Sequence, residues 1–274
     1  MNDELERLHK AELYLLISFD KVCRENGLTY FLDSGTALGA IRHGGFIPWD
    51  DDIDVGMPRK DYERFLAIGQ SLLPNDIFVQ TRNTEPNYQR SAAKLRLDDT
   101  FFPEGGTIKY VHNGVFIDIF PFDNIPSIDL IAKINISFFN AMNHIVLSYR
   151  SEKSSDSNIR RFFQKTIKTM PNSFINWIEK KSISFCKLYE NRTTKNITCY
   201  FWRMTQSKKY VFRIDRMLPV KDILFENHKV MIMNSPDYYL EKMYGDYMQL
   251  PPVEKRISHL NGRVVINNSN VESM

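Results

Sequence analysis

Four aspartates within five positions constrain the fold and chemistry of this chain more than any other feature. They are Asp50, Asp51, Asp52 and Asp54. Carboxylates this close together repel one another strongly unless a cation lies among them. The run follows an apolar, glycine-containing segment, which is unusual for a solvated acidic surface.

Asp52 and Asp54 alternate with Ile53 and Val55. In a β-strand this alternation directs both carboxylates to one face and both aliphatic side chains to the other, towards the core. Two hard oxygen ligands on one strand, shortly after a glycine-containing turn, are typical of a site for Mg²⁺ and a phosphate ester. The sequence therefore predicts a metal-dependent enzyme that transfers a phosphorus-containing group.

Two other metal-binding motifs partly fit the run. Asp50, Asp52 and Asp54 match positions 1, 3 and 5 of a calcium loop, but Val55 replaces the required glycine and Asp61 replaces the final glutamate. The Asp-x-Asp motif of sugar-nucleotide glycosyltransferases also binds a divalent ion beside a diphosphate. A solvated acidic face does not explain the aliphatic alternation.

Asp118 lies inside the apolar run Val115–Phe120, where an isolated carboxylate is costly to bury. A capped turn or a salt bridge would account for a lone aspartate there. Considered together with Asp52 and Asp54, it predicts a third carboxylate on a separate strand and a two-metal clamp.

The turn Ser34-Gly35-Thr36 lies one helix upstream of the aspartates. Glycine allows the backbone to approach an anion closely, and the hydroxyls and N–H groups at a helix start donate to it. We predict that this turn binds phosphate.

The composition excludes several classes of protein. The chain has 274 residues, of which 43% are hydrophobic and 25% charged, and its net charge of +3 is too small to indicate nucleic-acid binding. Three widely separated cysteines (Cys23, Cys186, Cys199) give neither a disulfide framework nor a zinc motif and favour a reducing compartment. We expect no signal peptide in the acidic N-terminus and no transmembrane segment.

Hydrophobic periodicity predicts an α+β fold. Helices are expected at residues 4–26, 37–42, 59–73 and 237–244, and strands at 28–32, 53–57, 77–81, 92–97, 115–120, 211–213, 223–225 and 230–233. We predict a catalytic core at 1–126, a helical insertion or cap at 127–198, and a C-terminal segment at 199–274 that packs back on the core. The polar end, 261–274, is expected to be a flexible tail.

The motifs resemble the LicD family, the phosphocholine transferases of bacterial surface glycans, which are related to fukutin and fukutin-related protein. The resemblance rests on Ser34–Arg59, Lys94–Arg96, Gly114–Pro121 and Tyr244–Pro252, with Lys255, Arg256 and His259. It implies a nucleotidyltransferase (polymerase-β-like) fold with a mixed sheet. It also implies that Asp52, Asp54 and Asp118 are catalytic residues that bind Mg²⁺ or Mn²⁺, with Asp50 as a further candidate ligand.

The same resemblance implies the reaction. A CDP-linked donor, CDP-choline or another CDP-alcohol, would pass its phospho-alcohol to a sugar hydroxyl of a glycan or lipid-linked oligosaccharide, and CMP would leave. Arg42, Lys94 and Arg96 are the cations expected beside the phosphates, together with Ser34, Gly35 and Thr36. The modified glycan would be a lipopolysaccharide or teichoic acid. The expected location is the cytoplasm, with peripheral association at the inner face of the membrane.

Several assignments stay open from the sequence. A quaternary ammonium needs an aromatic cage, for which Tyr88, Phe101, Phe102, Tyr110 and Tyr244 are candidates. The sequence favours a core position for Trp49 over stacking on a base. It favours structural roles for His43 and His259 over catalytic ones. The alternatives to phospho-alcohol transfer are nucleotidyl transfer to a small molecule, Asp-x-Asp glycosyl transfer, and a metal-stabilised glycan-binding module without catalysis.

Overall fold

The structure is a computed structural model that describes residues 3–88, 90–102, 111–151, 157–201, 210–258 and 264–272. The α+β class predicted from the sequence is confirmed. The helices are α1 (Asp3–Glu25), α2 (Ser34–His43), α3 (Arg59–Leu72), α4 (Asp129–Arg150), α5 (Asn158–Lys168), α6 (Asn172–Cys186), α7 (Ile214–Met217), α8 (Pro236–Tyr244) and α9 (Ser269–Glu272). Short 3₁₀ helices follow at Lys187–Tyr189 and Val253–Lys255.

The strands are β1 (Phe31–Leu32), β2 (Asp54–Pro58), β3 (Ile77–Gln80), β4 (Ala93–Leu97), β5 (Thr100–Phe101), β6 (Phe116–Ile125), β7 (Asn196–Thr198), β8 (Val211–Arg213), β9 (Lys221–Phe225), β10 (His228–Ile232) and β11 (Val265–Ile266). The chain divides into two compact units. One contains the described residues of Met1–Tyr88, Ala92–Pro121 and Asp215–Met274, and the other contains those of Gln89–Ser91 and Phe122–Ile214. The domain boundaries predicted at 126 and 198 stay a prediction.

The first unit is built on a sheet with the strand order β1-β2-β6-β4-β3. Neighbours β1/β2, β3/β4 and β4/β6 are antiparallel. Ile53 and Val55 are fully buried beside half-buried Asp52 and Asp54, as the alternation predicts. However, β2 begins only at Asp54, so Asp52 lies in the preceding loop and not on the strand.

Helix α1 lies in the same unit and buries an apolar face. Its buried positions recur at helical spacing, as expected for an amphipathic helix packed on a sheet: Leu5, Leu8, His9, Ala11, Glu12, Leu15, Leu16, Phe19, Val22 and Cys23. Two of these side chains are polar, and both matter for the site described below.

Part of the predicted flexible tail is folded. β11 pairs with β5, which joins Val265 to Phe101 and Ile266 to Thr100. Ile266 and Val271 are buried, and the Asn268 amide donates to Asp76 Oδ2 over 2.9 Å. The polar composition of this segment concealed these few apolar anchors, and the flexibility of 261–274 stays a prediction.

The described residues of the second unit form three α-helices, the 3₁₀ helix Lys187–Tyr189 and a short sheet. β7 pairs antiparallel with the end of β6, joining Asn124 to Ile197, and with β8. One apolar cluster brings α4 together with Cys186 and Tyr200. A second joins Val146 of α4 to Ile175 and Ile178 of α6. The helices predicted for this region are confirmed, whereas β7 was not predicted.

By length and composition α4 would be able to cross a membrane. One such helix among the described residues is weak evidence, because a helix of a soluble core passes the same test.

Candidate active site

The turn that starts α2 is held by a buried aspartate–tyrosine pair. Asp33, at the N-cap position of α2, is inaccessible to solvent, and the Tyr239 hydroxyl donates a hydrogen bond to its Oδ1. The Ser34 amide in turn donates to the Tyr239 oxygen over 3.1 Å. Burial raises the pKa of Asp33 to about 7. Ser34 has φ of +44°, a left-handed conformation that is uncommon for a residue with a side chain and typical of functional turns.

The turn is joined directly to the aspartates. The Thr36 hydroxyl oxygen accepts a hydrogen bond from the Asp54 amide over 2.8 Å. A Cβ at position 35 would lie 2.6 Å from Asp50 Oδ2, so glycine is required for the Asp50 carboxylate to rest against the turn. The two motifs that the sequence analysis treats as partners therefore do lie together.

The loop before β2 gathers three carboxylates. One oxygen from each of Asp50, Asp51 and Asp52 lies within 4.8 Å of the others, close enough to share a metal ion. Burial raises the pKa of Asp50 to about 7, with the charges of Asp52 and Asp51 adding to the effect. Asp51 is buried, whereas Asp50 and Asp52 are half-buried.

Helix α1 and the β9–β10 hairpin support this loop from outside. The His9 ring stacks on Phe46 with 3.9 Å between centroids, and its Nε2 lies 2.8 Å from the Asp50 carbonyl. Burial lowers the pKa of His9, which favours the neutral ring with Nε2–H donating to that carbonyl. Glu226 in the hairpin turn accepts from the Phe46 amide over 3.0 Å, and a side chain at Gly45 would overlap the Glu226 carboxylate.

Asp54 and Asp118 lie on the neighbouring strands β2 and β6. The Asp118 amide donates to the Ile53 carbonyl over 2.9 Å, which brings Asp118 beside the start of β2. The pKa of Asp54 is raised well above its usual value by burial and then by the charges of Asp52 and Asp118. The three predicted catalytic carboxylates are therefore electrostatic neighbours in the folded protein.

Lys94 supplies a buried positive charge beside them. Register places it opposite Asp118 in the β4/β6 pair, and its Nζ donates to Asp118 Oδ2 over 2.9 Å. The lysine is fully buried, and its ammonium lies over the Phe116 ring, 3.3 Å from the centroid. Lys94 therefore fixes the orientation of the Asp118 carboxylate.

The other two predicted cations have different surroundings. Arg96 is buried, and it donates to Gln80 Oε1 over 2.8 Å and to the Gly114 carbonyl over 2.6 Å. These hydrogen bonds tie β4 to its neighbours. Arg42 is half-buried, and its guanidinium donates to the Tyr247 carbonyl over 2.8 Å. Burial lowers the pKa of Arg42, and the negative charge of Asp50 acts in the opposite direction. Arg42 is thus the arginine that lies nearer the aspartate loop.

Glu12 is a candidate site residue that the sequence analysis missed. It lies on the buried face of α1, and neither carboxylate oxygen has a hydrogen-bond partner among the described residues. Burial raises its pKa well above the usual value, and the charges of Asp52, Asp50, Asp51 and Asp54 raise it further. The signal was available in the sequence, because Glu12 falls among leucines at helical spacing, where a charge is costly.

These donors fit a hard divalent cation. Carboxylate oxygens are the ligands that Mg²⁺ and Mn²⁺ prefer. Neither carboxylate oxygen of fully buried Glu12 has a hydrogen-bond partner among the described residues. Burial first, and the charges of neighbouring carboxylates second, raise the pKa values of Glu12, Asp50 and Asp54, so ionisation of these groups costs free energy in the folded protein. A bound cation would remove this cost, and Asp50, Asp51, Asp52, Asp54 and Asp118 are the residues able to hold it.

Among the predicted aromatic candidates, Tyr244 lies next to the acidic cluster. Burial, followed by the charges of Asp33, Asp54, Asp50 and Asp52, raises its pKa, although part of its surface stays exposed. Tyr88 and Phe102 are buried, and Phe101 is half-buried in β5. Tyr110 and His259 fall outside the described residues.

Trp49 and His43 lie at the edge of the same region. Trp49 is half-buried, not in the core as the sequence favoured, and the Arg256 guanidinium lies 5.5 Å from its ring centroid. His43 is exposed and meets Trp49 edge-on.

Comparison with known proteins agrees with the motifs. Over 263 residues the chain is 28% identical to the lipopolysaccharide cholinephosphotransferase LicD of Haemophilus influenzae, covering 90% of this chain and 92% of that protein. It is 46% identical over 62 residues to an uncharacterized protein of Rickettsia typhi, 20% of either chain. It is also 51% identical over 35 residues to the human ribitol 5-phosphate transferase FKRP, 13% of this chain and 7% of that protein.

The family described as "LicD/FKTN/FKRP, nucleotidyltransferase domain" matches residues 27–133. That range contains the α2 turn, the aspartate loop, Lys94 and Asp118. The resemblance predicted from the sequence is confirmed, since residues 27–133 of this chain match the LicD/FKTN/FKRP family model.

Proposed function

We propose that this chain transfers phosphocholine, or a related phospho-alcohol, from a CDP-linked donor to a sugar hydroxyl of a cell-surface glycan. The observation that best supports the proposal is the convergence of Asp52, Asp54 and Asp118 beside buried Lys94 and the α2 turn. A chain named as a lipopolysaccharide cholinephosphotransferase matches this one over nearly its whole length. The nucleotidyltransferase (polymerase-β-like) fold is part of the same proposal.

In the proposed reaction the acceptor hydroxyl attacks the distal phosphorus of the donor in line. A new bond forms between the sugar oxygen and that phosphorus, the bond to the bridging oxygen breaks, and CMP leaves with that oxygen. The Asp118 carboxylate, oriented by Lys94, aligns the hydroxyl and accepts its proton. Most of the acceleration in such reactions comes from positioning and charge neutralisation.

A divalent cation, Mg²⁺ or Mn²⁺, would be held by Asp52, Asp54 and Asp118, with Asp50 as a further ligand, and would neutralise charge on the phosphates. Backbone amides and side chains of the protein would make the other contacts to the donor phosphates. We assign phosphate contacts to the amides of Gly35 and Thr36 at the start of α2. The Ser34 amide already donates to Tyr239, so in this proposal Ser34 contributes through its hydroxyl. Arg42 is the arginine that we place beside the phosphates, and Arg96 acts by supporting β4.

We propose that the reaction takes place in the cytoplasm before the glycan is exported. Cys23, Cys186 and Cys199 are all free and buried, which suits a reducing compartment.

The decisive experiment measures CMP release from CDP-choline, CDP-ribitol and CDP-glycerol in parallel. Each reaction contains a surface-glycan extract as acceptor, with Mg²⁺ or with EDTA. The test variant is Asp52→Asn/Asp54→Asn. The matched control is Glu25→Gln/Asp129→Asn, which removes two exposed carboxylates far along the chain from the aspartate loop.

We expect Mg²⁺-dependent CMP release from one donor, retained in the control and lost in the test variant. Pyrophosphate in place of CMP, with a nucleoside triphosphate as donor, would instead establish nucleotidyl transfer. Folded protein that releases no product from any donor would overturn the transferase proposal and favour a glycan-binding role.

Tyr244 offers a separate test of donor choice. If its ring faces the quaternary ammonium, Tyr244→Leu raises KM for CDP-choline by about 5- to 30-fold, the range expected for a desolvated cation–π contact. Tyr244→Phe keeps the ring and is the matched control. An equal change in KM for CDP-glycerol, which has no ammonium group, would contradict this role.

A further inference from the structure

Helix α5 in the second unit presents an apolar face to solvent. All of its residues are described, and none is buried. Ile159, Phe162 and Phe163 are 71%, 68% and 61% exposed. Large aromatic side chains on a monomeric protein are rarely so accessible without a binding partner.

The order of residues along α5 separates apolar from basic side chains. At about 100° per residue, Ile159, Phe162, Phe163 and Ile167 fall within one arc of roughly 140°. The opposite side carries only polar and basic residues, namely Asn158, Arg160, Arg161, Gln164, Lys165 and Lys168. A strongly amphipathic helix with aromatic and aliphatic side chains on one face and Lys/Arg on the other is typical of helices that lie in a membrane interface.

The neighbouring helices extend this apolar surface. A groove of about 530 Å³ opens between α4 and α6, and its walls include Phe138, Met142, Phe174, Trp177, Phe185 and Leu188. Phe138, Phe174, Trp177 and Leu188 are also partly open to solvent. Ile167 of α5 and the groove residue Met142 pack against the same buried cluster, which contains Ile178 of the groove wall, so α5 and the groove are joined through one apolar cluster.

The opposite side of α4 is anchored in the protein. Ala132, Ile136 and Phe139 are buried against Cys186 and Tyr200. A helix with one face in a core and another in solvent is suited to lying on a bilayer rather than crossing it. This arrangement explains why α4 is apolar enough to pass as a membrane span while it packs against the rest of its unit.

We propose that α5 and the α4/α6 groove together dock the protein on the surface of a bilayer containing anionic phospholipids. In this arrangement Phe162, Phe163 and Ile159 enter the boundary between headgroups and acyl chains, and the flanking Arg and Lys side chains contact lipid phosphates. The occupant follows from charge. α5 has four basic and no acidic residues, so a second copy would bring like charges together, whereas an anionic lipid surface is complementary.

This proposal is independent of the proposed reaction, because vesicle binding needs neither donor nor acceptor. The experiment uses the full chain with vesicles of phosphatidylcholine alone or mixed with phosphatidylglycerol, and measures binding by co-sedimentation. The test variants are Phe162→Ser/Phe163→Ser, which removes the apolar contact, and Arg160→Gln/Lys165→Gln, which removes charge. The matched control is Leu72→Ser/Leu224→Ser, two exposed leucines of the other unit.

We expect binding to the anionic vesicles and little to the neutral ones. Affinity for the anionic vesicles should fall by about 10-fold or more in each test variant. Arg160→Gln/Lys165→Gln removes two basic side chains, each of which adds a several-fold factor near such a surface. Phe162→Ser/Phe163→Ser removes apolar area that would be buried in the interface. The control should bind as the wild type does. Circular dichroism and a thermal melt check that all variants are folded.

A second readout places the groove at the lipid. In a Trp49→Phe/Trp202→Phe background Trp177 is the remaining tryptophan, and its emission should shift to shorter wavelength on the anionic vesicles. The proposal is overturned if the wild type binds neither kind of vesicle, or if Phe162→Ser/Phe163→Ser binds the anionic vesicles with the affinity of the wild type. It is also overturned if the wild type is a dimer in solution that these serines dissociate while vesicle binding is absent.

Discussion

The two units of the chain depart from an ordinary globular protein in opposite ways. In the first, charged groups are enclosed: Glu12, Asp33 and Lys94 are inaccessible to solvent. In the second, apolar groups are open, as with Ile159 and Phe162 of α5. Buried charge and exposed apolar surface both cost free energy in an isolated chain. These departures are the basis of our two proposals, a cation held in the first unit and an anionic lipid surface bound by the second.

The charged groups of the two units also differ in how closely they are held and how well solvent screens them. Carboxylates at the α2 turn and the aspartate loop are held close by backbone hydrogen bonds, such as that from the Asp54 amide to Thr36. The basic residues of α5 are exposed on one helix and are screened by solvent. Changes in the first unit should therefore have large effects on chemistry and stability, and changes in the second should mainly alter association.

The largest effect is expected for Asp54→Asn. If Asp54 is a metal ligand, CMP release falls by at least about 100-fold. Loss of a residue that only hydrogen-bonds to a metal ligand already costs about 10- to 100-fold, and loss of the ligand itself should cost more. At neutral pH and in EDTA the variant should nevertheless melt at a higher temperature than the wild type. The reason is that burial, followed by the charges of Asp52 and Asp118, raises the pKa of Asp54 and makes its ionised carboxylate unfavourable in the folded protein.

Glu25→Gln, which neutralises an exposed carboxylate, is the control for both measurements. A lower melting temperature for Asp54→Asn in EDTA would mean that Asp54 stabilises the folded protein and that its carboxylate is not unfavourable at this position.

Lys94→Met tests whether the buried cation balances Asp118. Removing one partner of a buried pair typically costs about 3–5 kcal/mol, since the other charge is left uncompensated. We expect a loss of this order in the free energy of unfolding, measured with urea. Asp118→Asn in the Lys94→Met background should recover part of the loss. A change below about 1 kcal/mol, the usual range for an exposed pair, would show that Lys94 and Asp118 are effectively solvated.

Glu12→Met tests whether the buried charge of Glu12 contributes to cation binding. Methionine has a similar volume and needs no hydrogen bond, so the metal-free protein should become more stable, by up to a few degrees in Tm for a protein of this size. Titration calorimetry should show weaker Mg²⁺ binding, because one negative charge that acts on the aspartates is gone.

The control is again Glu25→Gln, which should alter neither quantity. Unchanged Mg²⁺ affinity in Glu12→Met would remove Glu12 from the site. A destabilised apo protein would indicate that water satisfies its oxygens.

The sequence predicted much of this site because its strongest signals are local. The alternation of Asp52 with Ile53 requires only neighbouring residues, and it survives as a burial pattern even though Asp52 lies before the strand. Asp118 was found because a carboxylate in an apolar run is costly wherever the run packs. The helix boundaries of α1 and α3 followed from periodicity and from the breakers at their ends.

The remaining features depend on register and long-range packing. The pairing of Lys94 with Asp118 needs the alignment of β4 with β6, residues 24 apart in sequence. The same alignment turns Arg96 towards Gln80 and Gly114, which no local pattern specifies. Tyr239 reaches Asp33 from 206 positions away. Glu12 alone had a local signal, as a charge on an apolar helix face.

Asp33→Asn tests whether burial of charge extends to the turn itself. The folded pKa of Asp33 is about 7 against 3.8 for the ordinary side chain, so the folded protein holds this proton more tightly than the unfolded chain. The resulting stabilisation is complete below about pH 4 and is lost as pH rises to about 7, at up to about 1.4 kcal/mol per pH unit. Asparagine keeps a side-chain oxygen that can accept the hydrogen bond from the Tyr239 hydroxyl, so the variant should fold and should flatten the slope of the free energy of unfolding between pH 4 and 7. Tyr239→Phe removes a hydrogen bond that favours the ionised form and should extend the sloping region to higher pH. Identical slopes in the wild type and Asp33→Asn would show that Asp33 ionises normally, and would confine the uncompensated charge to Glu12 and the aspartate loop.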